Sequence, residues 1–194
     1  NFEDIQKYMW ALETEDHDYR TVVIDTADWL ERIIHHQVCE DHGCNSIEDI
    51  GYSKGYKFAV DFWIEVLDRL NTLRIKRGMA VIILAHAKLE RVEDPEHPAF
   101  DRYSPDLHRL ASSAIVEWAD AVLFAKYNLK LNTEDLGFGK KRQIASTVKD
   151  AQTQNNRVLR CIGGPACIAK NRYSMPFEIP MEWQAIINSI QPSG

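Results

Sequence analysis

No apolar run in these 194 residues approaches the ~20 needed to cross a bilayer, so no membrane-spanning helix is expected. The start, Asn1-Phe2-Glu3-Asp4, is acidic and lacks the basic and apolar regions of a secretory signal. It lacks an initiator Met as well, and a processed or truncated chain is expected. Cysteine is scarce: Cys39, Cys44, Cys161 and Cys167 do not crowd into a disulfide framework and are expected as reduced thiols of a cytoplasmic protein. Neither Gly-x-Ser-x-Gly nor His-Glu-x-x-His occurs, which removes two hydrolase classes. A Gly-x-x-x-x-Gly-Lys-[Ser/Thr] phosphate loop is missing too. Gly51-Tyr52-Ser53-Lys54-Gly55 only echoes it, without the Gly-Lys-Ser/Thr ending and without a buried strand before it. Internal repeats and low-complexity tracts are likewise absent.

What is present is the composition of a soluble globular protein, 45% hydrophobic and 27% charged, of a length suited to one domain. The net charge of −6 is unevenly spread. Residues 1–125 carry 13 Lys/Arg against 24 Asp/Glu, whereas residues 126–172 carry 10 against 3. A basic block on an acidic body suggests an anion-binding surface for phosphate or nucleic acid; a solvated lysine-rich hairpin is the plain alternative.

Thr21-Val22-Val23-Ile24-Asp25 is the most informative stretch. A β-branched run without polar alternation reads as a strand buried on both faces, as in a parallel sheet. Its terminal acid sits where open α/β sheets bind ligands. There a carboxylate can hold the water shell of Mg²⁺ beside nucleotide phosphates. Alternatively, Asp25, Thr26 and Asp28 serve a helix N-terminus. Helical spacing then marks Trp29, Leu30, Ile33, Ile34 and Val38 as one apolar face, up to a break at 43–45. A long helix is expected over 57–76, closed by Gly78. A second apolar run, 80–85, ends at His86, and the strand–helices–strand order is the signal for parallel pairing. Residues 87–105, with Pro95, Pro98 and Pro105, read as a polar loop. A helix over 106–118, a third strand over 121–127, an excursion or hairpin over 128–156 and strand-like segments at 157–162 and 166–169 complete the reading.

Two strands thus end in polar groups, Asp25 and His86, which a parallel sheet would bring to one edge. Asp25 could hold magnesium while His86 donates to the terminal phosphate; His86 bonded to backbone is the plain alternative. In Ala169-Lys170-Asn171-Arg172, cations at i and i+2 of a strand can reach one anion, as phosphoryl transfer requires. A basic edge strand is the alternative. His35, His36, Cys39, His42 and Cys44 cluster closely, but no paired Cys-x-x-Cys supports zinc.

These strands and the Lys170-Asn171-Arg172 segment, together with residues 46–52, 117–125, 137–142 and 169–173, resemble phage-encoded RecA-like P-loop nucleotide-binding proteins. Those are relatives of single-strand DNA recombinases and annealing proteins. The resemblance covers nearly the whole chain. It implies an α/β fold: a mainly parallel RecA-like sheet flanked by helices on both faces, with a late antiparallel hairpin. It also implies one RecA-like core over 1–194, truncated before residue 1 where the phosphate loop would lie, with 126–172 as a basic hairpin region. The implied activity is Mg²⁺-dependent ATP hydrolysis on single-stranded DNA in phage recombination or annealing, in the bacterial host cytoplasm. Asp25 is then the Walker B carboxylate, binding Mg²⁺ through water. Asp25, Thr26 and His86 contact the nucleotide, with His86 as the γ-phosphate sensor. Lys170 and Arg172 are fingers reaching a neighbour's nucleotide in a ring or filament. Lys88, Arg91, Arg102, Lys140, Lys141 and Arg142 face DNA, although acids in 87–105 oppose that role. A non-hydrolysing nucleic-acid-binding protein of the same fold and a hexameric helicase-type motor are the rival expectations.

Overall fold

A computed structural model describes residues 1–135, 141–148 and 156–190, with backbone placement alone for several positions of the hairpin. The chain divides into two compact units, residues 1–90 with 103–119, and residues 91–102 with 120–194.

In the first unit, helix α1 (Phe2–Thr14) precedes strand β1 (Thr21–Ile24), helix α2 (Ala27–His42), a 3₁₀ turn (Ile47–Asp49), helix α3 (Lys54–Arg77) and strand β2 (Ala80–Ile83). Asn1 caps α1 by accepting from the Asp4 N–H at 2.9 Å. Gly43 and Gly78 end α2 and α3 in the left-handed conformation, at φ 63° and 64°, where a Cβ is disfavoured. The expected α3 stripe is real: Trp63, Val66, Leu67, Leu70 and Leu73 are buried and meet Leu30, Ile34 and Val38 of α2 in one cluster. Helix α4 (Arg109–Trp118) adds Ala111 and Ile115 to it. Trp29, expected on the buried face of α2, instead faces outward with the Arg32 guanidinium 4.6 Å from its ring centre.

Strands β1 and β2 pair in parallel, in the register Thr21↔Ala80 to Ile24↔Ile83. The expectation of burial on both faces fails. Val22, Ile24, Val81 and Ile83 pack on the helical cluster, while Val23 is 50% exposed. With two strands paired and one side covered, alternate residues look outward whatever their apolarity. Helices on both faces of a broad parallel sheet are therefore not found among the described residues.

Residues 87–105 also differ from the expected loop. Strands β3 (Ala87–Val92) and β4 (Phe100–Pro105) form a two-stranded sheet. Pro95 and Pro98 fall between these strands and Pro105 at an end, positions where a missing N–H costs no ladder bond.

In the second unit the expected third strand is split into β5 (Ala121–Val122) and β6 (Phe124–Tyr127). Neither joins β1 or β2. Strand β5 pairs antiparallel with β10 (Lys170–Asn171), and β6 pairs antiparallel with β9 (Arg157–Arg160), which also pairs with β11 (Glu178–Pro180). The break at Leu123 lets one extended segment serve two partners. Strands β7 (Leu129–Asp135) and β8 (Lys141–Thr147) form the expected antiparallel hairpin. Helix α5 (Trp183–Ile190) places Ile186 and Ile190 on a small core of Leu159, Cys161, Met175 and Ile179. Among the described residues no helix is long and apolar enough to cross a membrane.

Candidate functional site

The carboxyl end of the β1–β2 pair is stitched by backbone. The Leu84 N–H donates to the Ile24 carbonyl at 2.9 Å, and the Ala27 N–H donates to the Leu84 carbonyl at 2.7 Å. Parallel register leaves no freedom here: whatever follows Ile24 and whatever follows Ile83 emerge on the same rim. Asp25 and His86 both do so, and both are exposed. The Asp25–Thr26 peptide is cis. Thr26 is extended and precedes α2, but its side chain does not cap the helix. Its hydroxyl is buried and neighbours the Asp28 carboxylate, whose charge it stabilises.

Asp28, in the first turn of α2, organises the other half of the rim. The His86 ring Nδ1 lies 3.1 Å and 3.0 Å from its two carboxylate oxygens, and the His86 backbone N–H donates to Oδ1 at 3.3 Å. Burial alone pushes the Asp28 pKa up. The neighbouring Thr26 hydroxyl and the side-chain and backbone donors of His86 outweigh it and hold the carboxyl well below its usual range. The same hydrogen bond, and then the charge of Asp28, raise the pKa of His86.

A turn further along α2, Glu31 is also buried and accepts from the His108 backbone N–H at 3.1 Å and 2.9 Å. Burial raises its pKa, and the His108 bonds and the Lys88 charge only partly offset that rise. The His108 ring stacks on Tyr56 at 4.0 Å and 5°, with His35 edge-on to Tyr56. His35 therefore belongs to a packed aromatic group, as does His42, stacked on Phe58 at 4.6 Å. Among the described residues no cluster of three or more His, Cys, Asp or Glu is placed to hold a metal. The donor set of Asp25 and Thr26 fits only an ion that keeps several waters and shares phosphate oxygens, which is the habit of Mg²⁺.

The remaining expected residues are dispersed. Lys88 donates to the Leu107 carbonyl at 2.7 Å and lies 3.5 Å from Asp106. Arg91 lies 3.8 Å from Glu93 and 3.7 Å from Asp101, so the acids of this segment partner its cation. Arg102 is half-buried on β4. Lys140 lies outside the described residues, and for Lys141 and Arg142 only the strand β8 backbone is described. Lys170 is half-buried on β10, opposite Val122. Arg172 falls just past that two-residue strand and pairs with Asp120 at 3.0 Å, where the Tyr173 hydroxyl also approaches at 3.4 Å. The Arg172 N–H donates to the Asp120 carbonyl at 3.1 Å, continuing the pairing of β10 with β5 by one residue.

Sequence reasoning weighed Asp28 only as a helix-capping acid and passed over Glu31. Their spacing held a signal. Positions 28 and 31 lie on the same face as the buried Ala27, Leu30 and Ile34, so an acid there needs an internal partner.

A family described as AAA domain matches residues 1–173 of this chain. No curated protein and no solved structure matches it.

Proposed function

Because this chain belongs to the AAA domain family of P-loop nucleoside triphosphatases, we propose that its β1–β2 rim is the metal and γ-phosphate side of a Mg²⁺-dependent ATPase site. The observation that carries this reading is the shared rim. A parallel register from Thr21↔Ala80 to Ile24↔Ile83 sends Asp25 and His86 off the same strand ends.

In this reading Asp25 binds Mg²⁺ through its water shell, with Thr26 adding a hydroxyl to the polar surround. Magnesium bound with ATP would neutralise charge on the phosphate oxygens. His86 offers its outer ring nitrogen, Nε2, to the terminal phosphate. Lys170 and Arg172 approach the nucleotide of a neighbouring subunit, Arg172 exchanging Asp120 for phosphate oxygens. Cations there stabilise charge that grows in the transition state. A Gly-x-x-x-x-Gly-Lys-[Ser/Thr] loop is not among these residues, and this reading requires a backbone N–H cradle and a lysine for the phosphates in addition to the rim.

Single-stranded DNA is the proposed effector, in phage recombination or annealing. Its support is the excess of 10 Lys/Arg over 3 Asp/Glu in residues 126–172, together with the resemblance noted above. The missing loop motif favours one rival, a non-hydrolysing nucleic-acid-binding protein.

Phosphate release by the full-length gene product, with Mg²⁺-ATP and with or without single-stranded DNA, separates the two. Asp25→Asn is expected to lower turnover on the order of 10²-fold or more, as loss of electrostatic stabilisation in such sites does. Turnover at the unmodified rate in Asp25→Asn would remove the site. No hydrolysis in the unmodified protein, with DNA binding retained, would leave the rival.

A further inference from the structure

We infer that Asp28 is the positioning residue of His86, fixing the imidazole with Nδ1–H turned inward and Nε2 presented at the rim. The inference rests on the proposed γ-phosphate role of His86 for its functional meaning, although its geometry does not.

Three contacts define it. The Nδ1 atom faces both carboxylate oxygens of Asp28 at 3.1 Å and 3.0 Å, and the backbone N–H of the same histidine reaches Oδ1 at 3.3 Å. A carboxylate only accepts, so the nitrogen facing it must carry the proton. One acid therefore holds residue 86 at two points, main chain and ring, and selects one tautomer. The other ring nitrogen is left to face outward on a side chain that is 68% exposed. Asp28 is itself held rigidly: it is buried in the first turn of α2, where the unpaired N–H groups of the helix favour a carboxylate. Nε2 donates to a phosphate oxygen only while it also carries a proton, so the phosphate-facing form is the imidazolium with Nδ1–H held on Asp28 and Nε2–H at the rim, and free rotation of the ring would turn that donor away. Removing that freedom is what an outer carboxylate does for a functional histidine.

The consequence for specificity is directional. With Nδ1–H committed to Asp28, the ring meets a ligand through Nε2 alone. Rotation about χ2 would break both ring contacts while leaving the backbone bond, so the ring contacts carry the orientation.

The test begins with the full-length product labelled with ¹⁵N-histidine, with His86→Gln assigning the ring signals. The expected spectrum shows a persistently protonated Nδ1 on His86 in the unmodified protein. Asp28→Asn should lose that signature and give mixed tautomers. In the hydrolysis assay Asp28→Asn should lower kcat by about 10- to 100-fold with KM for ATP little changed. That range matches the loss of outer partners of metal-bound histidines, and the split marks an interaction made in the transition state. An unprotonated Nδ1 on His86 in the unmodified protein would overturn the inference, even if Asp28→Asn fails to fold. Unaltered His86 signals in folded Asp28→Asn would do the same. The expected tautomer in a protein that never hydrolyses ATP would sustain the positioning role while removing the ATPase reading.

Discussion

The His86–Asp28 pair is one interaction seen from two sides, and its pH dependence can be worked out with sign. His86 has a raised pKa, chiefly through its hydrogen bond to Asp28. Its share of stability is therefore complete below the ordinary histidine value of ~6.5 and is lost as pH climbs through the higher folded value. Asp28 has a lowered pKa because its hydrogen-bond donors outweigh its burial. Its share is complete above the ordinary carboxylate value of ~3.9 and is lost as pH falls towards the depressed value. The pair thus supports the fold best between those two ordinary values, and the two flanks must not be added as independent gains. His35 and His108 complicate the neutral flank, since burial lowers both and gives them the opposite slope. Comparison of unmodified protein with Asp28→Asn cancels their contribution. Thermal midpoints measured from pH 4 to 9 should show a fall above neutrality that Asp28→Asn lacks. Equal slopes in the two proteins across that range would mean the ion pair contributes nothing to folding.

The segment 51–55 shows how a local pattern can mislead about an element. Its glycines echo a phosphate loop, yet they lead into α3, and Tyr52 and Ser53 take positive φ to make that entry. Gly55 is buried because α3 presses on the 3₁₀ turn: a Cβ there would meet the Ile47 carbonyl oxygen at 2.5 Å and its Cγ1 at 2.6 Å. Gly51 has nothing within 4 Å. Gly55→Ala is therefore expected to cost about 1–3 kcal/mol, the range for forcing a methyl into a packed contact, and Gly51→Ala far less. Urea midpoints decide it; matching midpoints for the two variants would mean the turn gives way freely. Legibility elsewhere followed the range of the interaction. Helices α2 and α3 were readable because their stripes and their terminal glycines lie within a few turns of chain. The shared end of β1 and β2 was readable because parallel order follows from strand–helices–strand. Pairing of β5 with β10 and of β6 with β9 was not, since residues 121–127 carry no mark of partners that lie far along the chain. Asp28 was half-hidden for the same reason. An acid in a first turn looks like ordinary capping until the segment after β2 folds over it.

Assembly is where the proposed chemistry makes its most demanding claim, because Asp25 and Arg172 are assigned to one catalytic centre but to different subunits. Asp25 lies in the first unit and Arg172 in the second, with Arg172 paired to Asp120 at 3.0 Å in its own chain. Donation in trans requires a head-to-tail interface, which closes into a ring or continues as a filament. Each centre then needs an intact residue 25 on one side and an intact residue 172 on the other. Asp25→Asn and Arg172→Ala should each be inactive alone while still assembling. In an equal mixture, a centre is complete wherever an Arg172→Ala subunit supplies residue 25 and an Asp25→Asn subunit supplies residue 172. Random assembly makes about a quarter of the interfaces complete, so hydrolysis should return to roughly that fraction of the unmodified rate. Recovery should vanish as either variant is diluted out. Were both residues to serve the same subunit's nucleotide, no mixing ratio would restore turnover, and Arg172 would revert to a structural partner of Asp120.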